Sequence, residues 1–453
     1  MLLICFSFLG GCGFKALTGG PNLNDSVTGN GSLSVQKGDY LYFVNGFVST
    51  EDLVEGDNVY NEVDNSAIYR VKLTNNELSY DEDELLLNAE LLIPKVVGFE
   101  NAGIFIFDNY IYYTTPNTEK GEDGTVDFGL IDFYRAKLNG TGITRIYKTD
   151  TESDSTIFSF YKIGTNVYLT VFDGSKIVVV NTANKNVTTI SEDVSSAVFP
   201  NVTTYNSLNN TITENESYVY YTRTAKEDEN INYGNVLAKA RINVGTEIII
   251  QRDNYNTFTL QSFSSDALYY TKKSQIQANA YWYLCKFEEN ELNFNTEKQL
   301  TFMSYSSTVL TPVFENGFDR GLITVNSQNY LVWVRNINDV PSVTILYETS
   351  TVTLMYVQGD FVYCYDSNSI VLKINFKTKT VEQLTNSEDI TPNFSMKTYF
   401  DYDNDYLYFY NTYTNDDYTS YYLVRICTSS NSEHTVELVG KIEDKHIVEE
   451  DEE

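Results

Sequence analysis

The sequence predicts an all-β protein, and three observations carry that prediction. Aromatic residues make up 14% of the 453 positions, with 37 Tyr and 26 Phe, while Pro numbers only 7. Tyr suits a strand because its ring packs on a pleated face while its hydroxyl reaches water. Apolar and polar residues alternate in short runs almost from end to end, broken by Gly, Asn and Asp, which is the period-2 pattern of strands. Finally, a turn residue followed by an apolar–aromatic pair returns eight times along the chain.

The copies of this first motif are Asp39-Tyr-Leu-Tyr-Phe43, Asn109-Tyr-Ile-Tyr-Tyr-Thr114, Asn166-Val-Tyr-Leu-Thr170 and Ser217-Tyr-Val-Tyr-Tyr-Thr222. They continue as Asp266-Ala-Leu-Tyr-Tyr-Thr271, Arg320-Gly-Leu-Ile-Thr324, Asp360-Phe-Val-Tyr-Cys364 and Asp405-Tyr-Leu-Tyr-Phe409. Successive copies lie 40 to 70 residues apart. A second motif follows, clearest in Ala67-Ile-Tyr-Arg-Val-Lys-Leu73 and Asp132-Phe-Tyr-Arg-Ala-Lys-Leu138. Weaker copies are Leu237–Ile242, Tyr283–Phe287, Val371–Asn375 and Leu423–Cys427. A further strand comes after a turn at Gly142–Tyr147, Glu247–Ile250, Val381–Thr385 and Val436–Val439. One more apolar run, such as Ile104–Phe107 or Thr353–Tyr356, precedes each first motif. Four strands per repeat of this length mark a propeller blade. A four-stranded sheet cannot bury both faces alone, whereas a closed ring lets each blade cover its neighbours. The expected architecture is a single β-propeller of eight four-stranded blades, with seven as the alternative if the poorest copy, Leu322-Ile323, belongs to a neighbouring blade. The run Leu85–Ile93 fits a short helix as well as a strand.

At these residues the chain resembles a known family. Tyr112-Tyr113-Thr114, Tyr220-Tyr221-Thr222 and Tyr269-Tyr270-Thr271 are similar to the Tyr-Trp-Thr-Asp blades of low-density-lipoprotein-receptor-type propellers. Together with the Tyr-Arg-x-Lys-Leu strands and the Asn-Gly-Thr-Gly turn at Asn139–Gly142, they resemble bacterial lipoproteins carrying such a domain. The departures are specific. Tyr replaces Trp, and Thr115, Arg223 and Lys272 stand where the family has Asp, so its Asp-mediated contacts between blades do not carry over. The family's propellers also have fewer blades than the eight counted here.

The two ends read differently from the body. Leu2–Leu9 is apolar but far short of the roughly 20 residues that span a bilayer. It suits the apolar region of an export signal. Leu9-Gly10-Gly11-Cys12 is similar to the bacterial lipoprotein box, in which small residues admit a signal peptidase and the Cys thiol takes the lipid. No Lys or Arg lies between Met1 and Cys12, where the basic start of a signal belongs. The expected organisation is a signal peptide over 1–12 with lipidation at Cys12, a flexible Gly/Asn/Ser/Thr-rich tether over 13–31, the propeller over 32–440 and an acidic tail over 441–453. The expected location is the outer side of the bacterial cell membrane, held there by the lipid. Of the 5 cysteines, Cys285, Cys364 and Cys427 sit singly in apolar runs, so they read as small core residues rather than a disulfide framework or zinc site.

Charge and motif content narrow the function. With 62 acidic against 31 basic residues, the net charge is −31. Such a field repels nucleic acid, so no nucleic-acid partner is expected. The only 2 histidines are His434 and His446, which leaves His434 alone for any Ser-His-Asp or Cys-His centre. There is no Gly-x-Ser-x-Gly elbow, Gly-x-Gly-x-x-Gly or Walker sequence. Asp401-Tyr-Asp403-Asn-Asp405 alternates carboxylates as calcium loops do, but lacks the turn Gly and distal Glu, and reads as a hairpin turn. Neither a catalytic residue, a metal site nor a cofactor is therefore assigned. The expected function is a surface-displayed binding or scaffolding module for an extracellular protein or glycan. The alternative is a carbohydrate-active enzyme, a glycosidase or lyase, using paired carboxylates in the propeller funnel. Which side chains line that funnel separates the two.

Overall fold

A computed structural model describes residues 16–46, 66–80, 87–95, 97, 103–121, 124–150, 156–201, 209–301, 303, 310–315, 318–326, 328–335, 342–348, 352–386, 392–393, 399–401, 405–414, 419–429 and 434–440. Cys12 and the acidic tail lie outside them.

The described strands form eight sheets in chain order, antiparallel apart from one added strand, the eight blades of a β-propeller. Each of the eight first-motif copies is a blade's second strand, from Tyr40–Asn45 in blade 1 to Tyr406–Thr414 in blade 8. The poorest copy holds its place. Phe318–Val325 pairs with Leu310–Glu315 on one side and Leu331–Arg335 on the other, and Ser342–Tyr347 completes blade 6. The expectation of eight blades is met, and the ambiguous run ends as the strand Glu90–Ile93 at the edge of blade 1. The turns explain why the hairpins close where they do. Gly164, at φ 60°, and Gly359, at φ 56°, open tight first-to-second-strand turns in blades 3 and 7, and Asp108 takes the same left-handed place in blade 2.

Among the described strands, three blades depart from the four-stranded plan, each at its inner edge. Blade 1 carries an extra short strand, Val27–Thr28, antiparallel to Ser34–Lys37. Blade 3 gains Thr211–Ile212, which runs parallel to the inner strand Ile157–Ile163. That segment comes from the long connection within blade 4, between Val194–Val198 and Tyr218–Arg223. In blade 8 the inner strand is split into Pro392–Asn393 and Tyr399–Asp401. The stretch before Ser32 also touches the ring. Lys37 Nζ donates to Leu23 O and Asp25 O, both at 3.1 Å, and Arg70 donates to Thr18 O at 2.8 Å and Gly19 O at 3.2 Å.

The core lies between blades. Seven apolar clusters run around the ring, each joining neighbours and one joining blades 8, 1 and 2. The period of 2 explains how one strand serves two of them. In blade 3, Val178 and Val180 pack with the blade 2 cluster while Ile177 and Val179 pack with blade 4. Aromatic rings fill the widest gaps. Phe133 meets Phe158 edge-on at 5.1 Å between centroids, and Phe105 meets Phe160 at the same separation.

Polar clasps cross the same interfaces. Among the described residues, a cation on the third strand lies over the ring that opens the second strand in five blades. The pairs are Arg70 over Tyr40, Arg135 over Tyr110, Lys239 over Tyr218, Lys373 over Phe361 and Arg425 over Tyr406, at 4.0 to 5.5 Å. Four of these cations also reach a backbone carbonyl of the next blade. Arg70 donates to Leu138 O at 3.3 Å and Lys239 to Asn290 O at 3.2 Å. Lys373 donates to Thr428 O, and Arg425 donates to Asn76 O at 3.1 Å. The Arg425 clasp joins blade 8 to blade 1, so the same device that links neighbours also closes the ring. Tyr410 reinforces the closure by donating to Val44 O at 2.9 Å and Gly46 O at 3.3 Å.

Two substitutions test the closure. Tyr410→Phe keeps the ring and removes the donor, and should lower stability by about 1–2 kcal/mol. Arg425→Met leaves Asn76 O and Glu437 without their buried cation and should cost about 2–4 kcal/mol. Both are read from urea unfolding. A single cooperative transition is expected in each variant, because no blade has both faces covered without its neighbours.

Candidate functional site

The inner strands of the blades surround a central channel, and a cavity of about 500 Å³ opens within it. Among the described residues, those of seven blades line it. Ser32 comes from blade 1 and Phe105 from blade 2, and Ile157, Phe158, Ser159 and Tyr161 come from blade 3. Blade 4 adds the run Ala197–Asn201, blade 5 Gln261 and Ser262, blade 6 Thr311, and blade 7 Met355, Tyr356 and Val357. Gly29, Asn30 and Gly31, beside the extra strand of blade 1, and Asn210, beside that of blade 3, complete the wall.

The chemistry of this wall opposes that of the whole molecule. The chain carries a net charge of −31. None of the described lining residues is Asp, Glu, Lys, Arg or His. Most polar side chains here are committed to holding the inner strands together. The Asn30 amide donates to Ile106 O at 3.1 Å and Asn209 O at 2.8 Å, and its oxygen accepts from Ile106 N at 2.7 Å. Asn210 Nδ2 donates to Ser159 Oγ at 3.1 Å and Phe160 O at 3.2 Å. The Tyr161 hydroxyl donates to Pro200 O. What remains toward the cavity is mainly apolar. Ile157 is 47% exposed, Met355, Tyr356 and Val357 are half-buried, and Gln261 is exposed. Ser262 Oγ is buried without a hydrogen-bond partner. Burial pushes the Tyr356 hydroxyl well above its ordinary range, so it stays neutral.

The residues singled out from sequence fall elsewhere. His434 sits where blades 7 and 8 meet, with Nδ1 3.0 Å from Cys427 O and Nε2 3.1 Å from Glu382 Oε1. Asp405 is an exposed turn residue at φ 57°, and 402–404 lie outside the described residues. Among the described residues, no group of three or more His, Cys, Asp or Glu is placed to hold a metal ion. Cys285 and Cys364 are fully buried, and burial pushes their thiols up to about 11 and about 12. Cys427 is half-buried.

Arg223 and Lys272, which replace the resembled family's Asp, form one device in neighbouring blades. In blade 4, Tyr221 and Arg223 both bond Glu247 on the fourth strand, each at 2.9 Å. In blade 5, Tyr270 and Lys272 do the same with Glu297. Arg223 also forks onto Glu229, at 2.8 and 2.9 Å. That pairing holds the Glu229 carboxyl down to about 2. The ion pairs tie strands within a blade and stand apart from the channel lining.

The lining residues themselves were not legible in the sequence. Ile157 opens an ordinary alternating run, and the only local cue was its place before a first motif. An inner strand faces the axis only once the ring has closed.

No family model matches the chain, and no curated protein matches it. Among solved structures, the chain is 12% identical to a prolyl endopeptidase, over 73% of this chain and 49% of that one, with a TM-score of 0.42. The chain thus spans about half the length of that enzyme. It is 12% identical to an oligogalacturonate lyase from Vibrio parahaemolyticus, over 77% of this chain and 95% of that one, with a TM-score of 0.40. A nidogen/laminin complex is matched at 12% identity, over 71% and 90%, with a TM-score of 0.27. At these values no residue role passes from any of them to this chain. The molecule's class rests on its own eight-sheet ring: it is a β-propeller with an uncharged, mainly apolar described channel lining.

The depressed Glu229 carboxyl sets a pH dependence. Its share of stability is complete above about pH 4.5, the unfolded value, and is lost as pH falls toward about 2. Between pH 5 and 2.5, the urea midpoint of Glu229→Gln should therefore fall less than that of the unaltered protein.

Proposed function

We propose that this protein is a lipid-anchored binding module on the outer side of the bacterial cell membrane, with the central channel as its ligand site. The observation that carries the reading is the channel wall: seven blades converge on one cavity, and the described lining bears no ionisable carboxylate, cation or imidazole. In propellers the framework strands are committed to packing, which leaves the channel and the loops at its rims for recognition. A cavity of about 500 Å³ is of the size that encloses a small ligand or the tip of a larger one. Glycosidase chemistry calls for two carboxylates flanking the scissile bond. The uncharged lining therefore favours binding or scaffolding of an extracellular protein or glycan over catalysis.

The anchor reading is supported by Leu9-Gly10-Gly11-Cys12 behind an apolar run. Cys12→Ser should move the protein from the membrane fraction to the medium, and unchanged sedimentation with membranes would remove the anchor.

The channel reading is tested by blockage. Soluble protein lacking residues 1–12 would be screened against immobilised neutral glycans and extracellular proteins. Ile157→Trp should then lose what the unaltered protein captures, with the melting temperature unchanged. Capture that survives the blockage would move the site to a rim.

A further inference from the structure

We infer that the group received by the channel is uncharged, mainly apolar and of small-molecule size. The inference rests on the channel being the ligand site and goes further by naming the chemistry admitted there. Three observations lead to it.

The first is the segregation of charge. A chain with 62 acidic and 31 basic residues has a charged side chain at about one position in five, yet none occurs among the described residues of the cavity wall. An ion entering this space would lose water and gain no partner of opposite sign, a cost of several kcal/mol. The strongly negative exterior adds a barrier against anions and would hold cations at the surface instead.

The second is how the polar lining is used. Asn30, Asn210 and Tyr161 direct side-chain donors at backbone or side-chain acceptors of the wall itself. Donors already paired in this way are poorly placed to desolvate a carboxylate or phosphate, which needs several at once. The Ser262 hydroxyl, buried without a partner, and the exposed Gln261 amide stand together on blade 5. Only the exposed Gln261 amide is presented to a ligand, and it suits a neutral acceptor or donor rather than a charge.

The third is the apolar surface left bare. An isoleucine that is 47% exposed at the inner edge of a blade has no packing role on that side. Met355, Tyr356 and Val357 of blade 7 line the same cavity and are half-buried. Such a surface is stabilised when an apolar group displaces water from it. Among glycan ligands, the inference excludes polymers of sugar acids.

Two dyes of one ring system make the test. N-phenyl-1-naphthylamine is neutral, and 8-anilino-1-naphthalenesulfonate carries a sulfonate on the same skeleton. Their fluorescence would be titrated against the folded protein without residues 1–12, at low salt and in about 1 M sodium chloride, where screening acts within about 3 Å. The neutral dye should bind at both salt concentrations with a dissociation constant changing less than about twofold, as binding without ions requires. Ile157→Leu should bind it equally well. Ile157→Glu should weaken it by at least about tenfold, since a carboxylate then sits stripped of water beside the ligand. Ile157 is half exposed, so both variants should melt with the unaltered protein, and melting is measured alongside. The sulfonate should fail to bind even in high salt. If it binds as tightly as the neutral dye and both are lost in Ile157→Glu, the uncharged class is wrong and the channel site stands. If neither dye binds, or binding ignores Ile157→Glu, the channel site itself falls.

Discussion

A sheet with apolar side chains on both faces is stable only where each face meets a partner, and this demand shapes the whole molecule. In blade 3 the successive residues Ile177, Val178, Val179 and Val180 point alternately into the blade 4 and blade 2 clusters. Among the described residues no blade carries a polar face to turn toward water, so none is suited to serve as an end cap. The arrangement that leaves no face bare is a ring, and the cluster shared by blades 8, 1 and 2 shows it closed. Ring closure in turn creates the channel, because the inner strands then converge on one axis.

The buried cations give that ring its polar register. Arg70, Lys239, Lys373 and Arg425 each lie over the aromatic residue that opens their own blade's second strand and donate to a carbonyl of the following blade. A cation almost out of water is unfavourable unless all of its donors are met. Here the ring, the carbonyl and a carboxylate meet them together, as Glu90 does for Arg70 at 2.9 Å and Glu437 for Arg425 at 2.5 Å. A blade rotated or shifted against its neighbour would strand the cation. Apolar contact between blades tolerates some sliding, whereas these bonds do not. The extended chain before Ser32 uses the same cation, since Thr18 O and Gly19 O both accept from Arg70.

The channel shows where variation was admitted. Each departure from the four-stranded plan lies at the inner edge of a blade, in blades 1, 3 and 8. The first two meet across the axis side, where the Asn30 amide bonds Asn209 O, the carbonyl just before the strand added to blade 3. The channel wall is thus assembled from strands and connections far apart in sequence, those two partners being separated by 179 positions.

Local patterning settled the strands. Because side chains alternate along a strand and tight turns require left-handed residues, the eight copies marked eight second strands, even at Leu322-Ile323, and the repeat implied four strands to a blade. The Tyr-Arg-x-Lys-Leu strands were visible as a repeat, but the role of Arg70 was not. Its carbonyl acceptor, Leu138 O, lies 68 residues away on another blade. The same holds for Arg223 and Lys272, visible in sequence as departures from a resembled pattern and explained only by Glu247 and Glu297 across a sheet. The channel lining was the least legible part. Ile157, Gln261 and Tyr356 share no motif, and their common property is distance from an axis that exists only after closure. Sequence alone determined the strand pattern and the repeat, which depend on neighbours along the chain. Tertiary structure alone decided the interblade bonds and the uncharged described lining of the channel, because those depend on which distant strands the closed ring brings face to face.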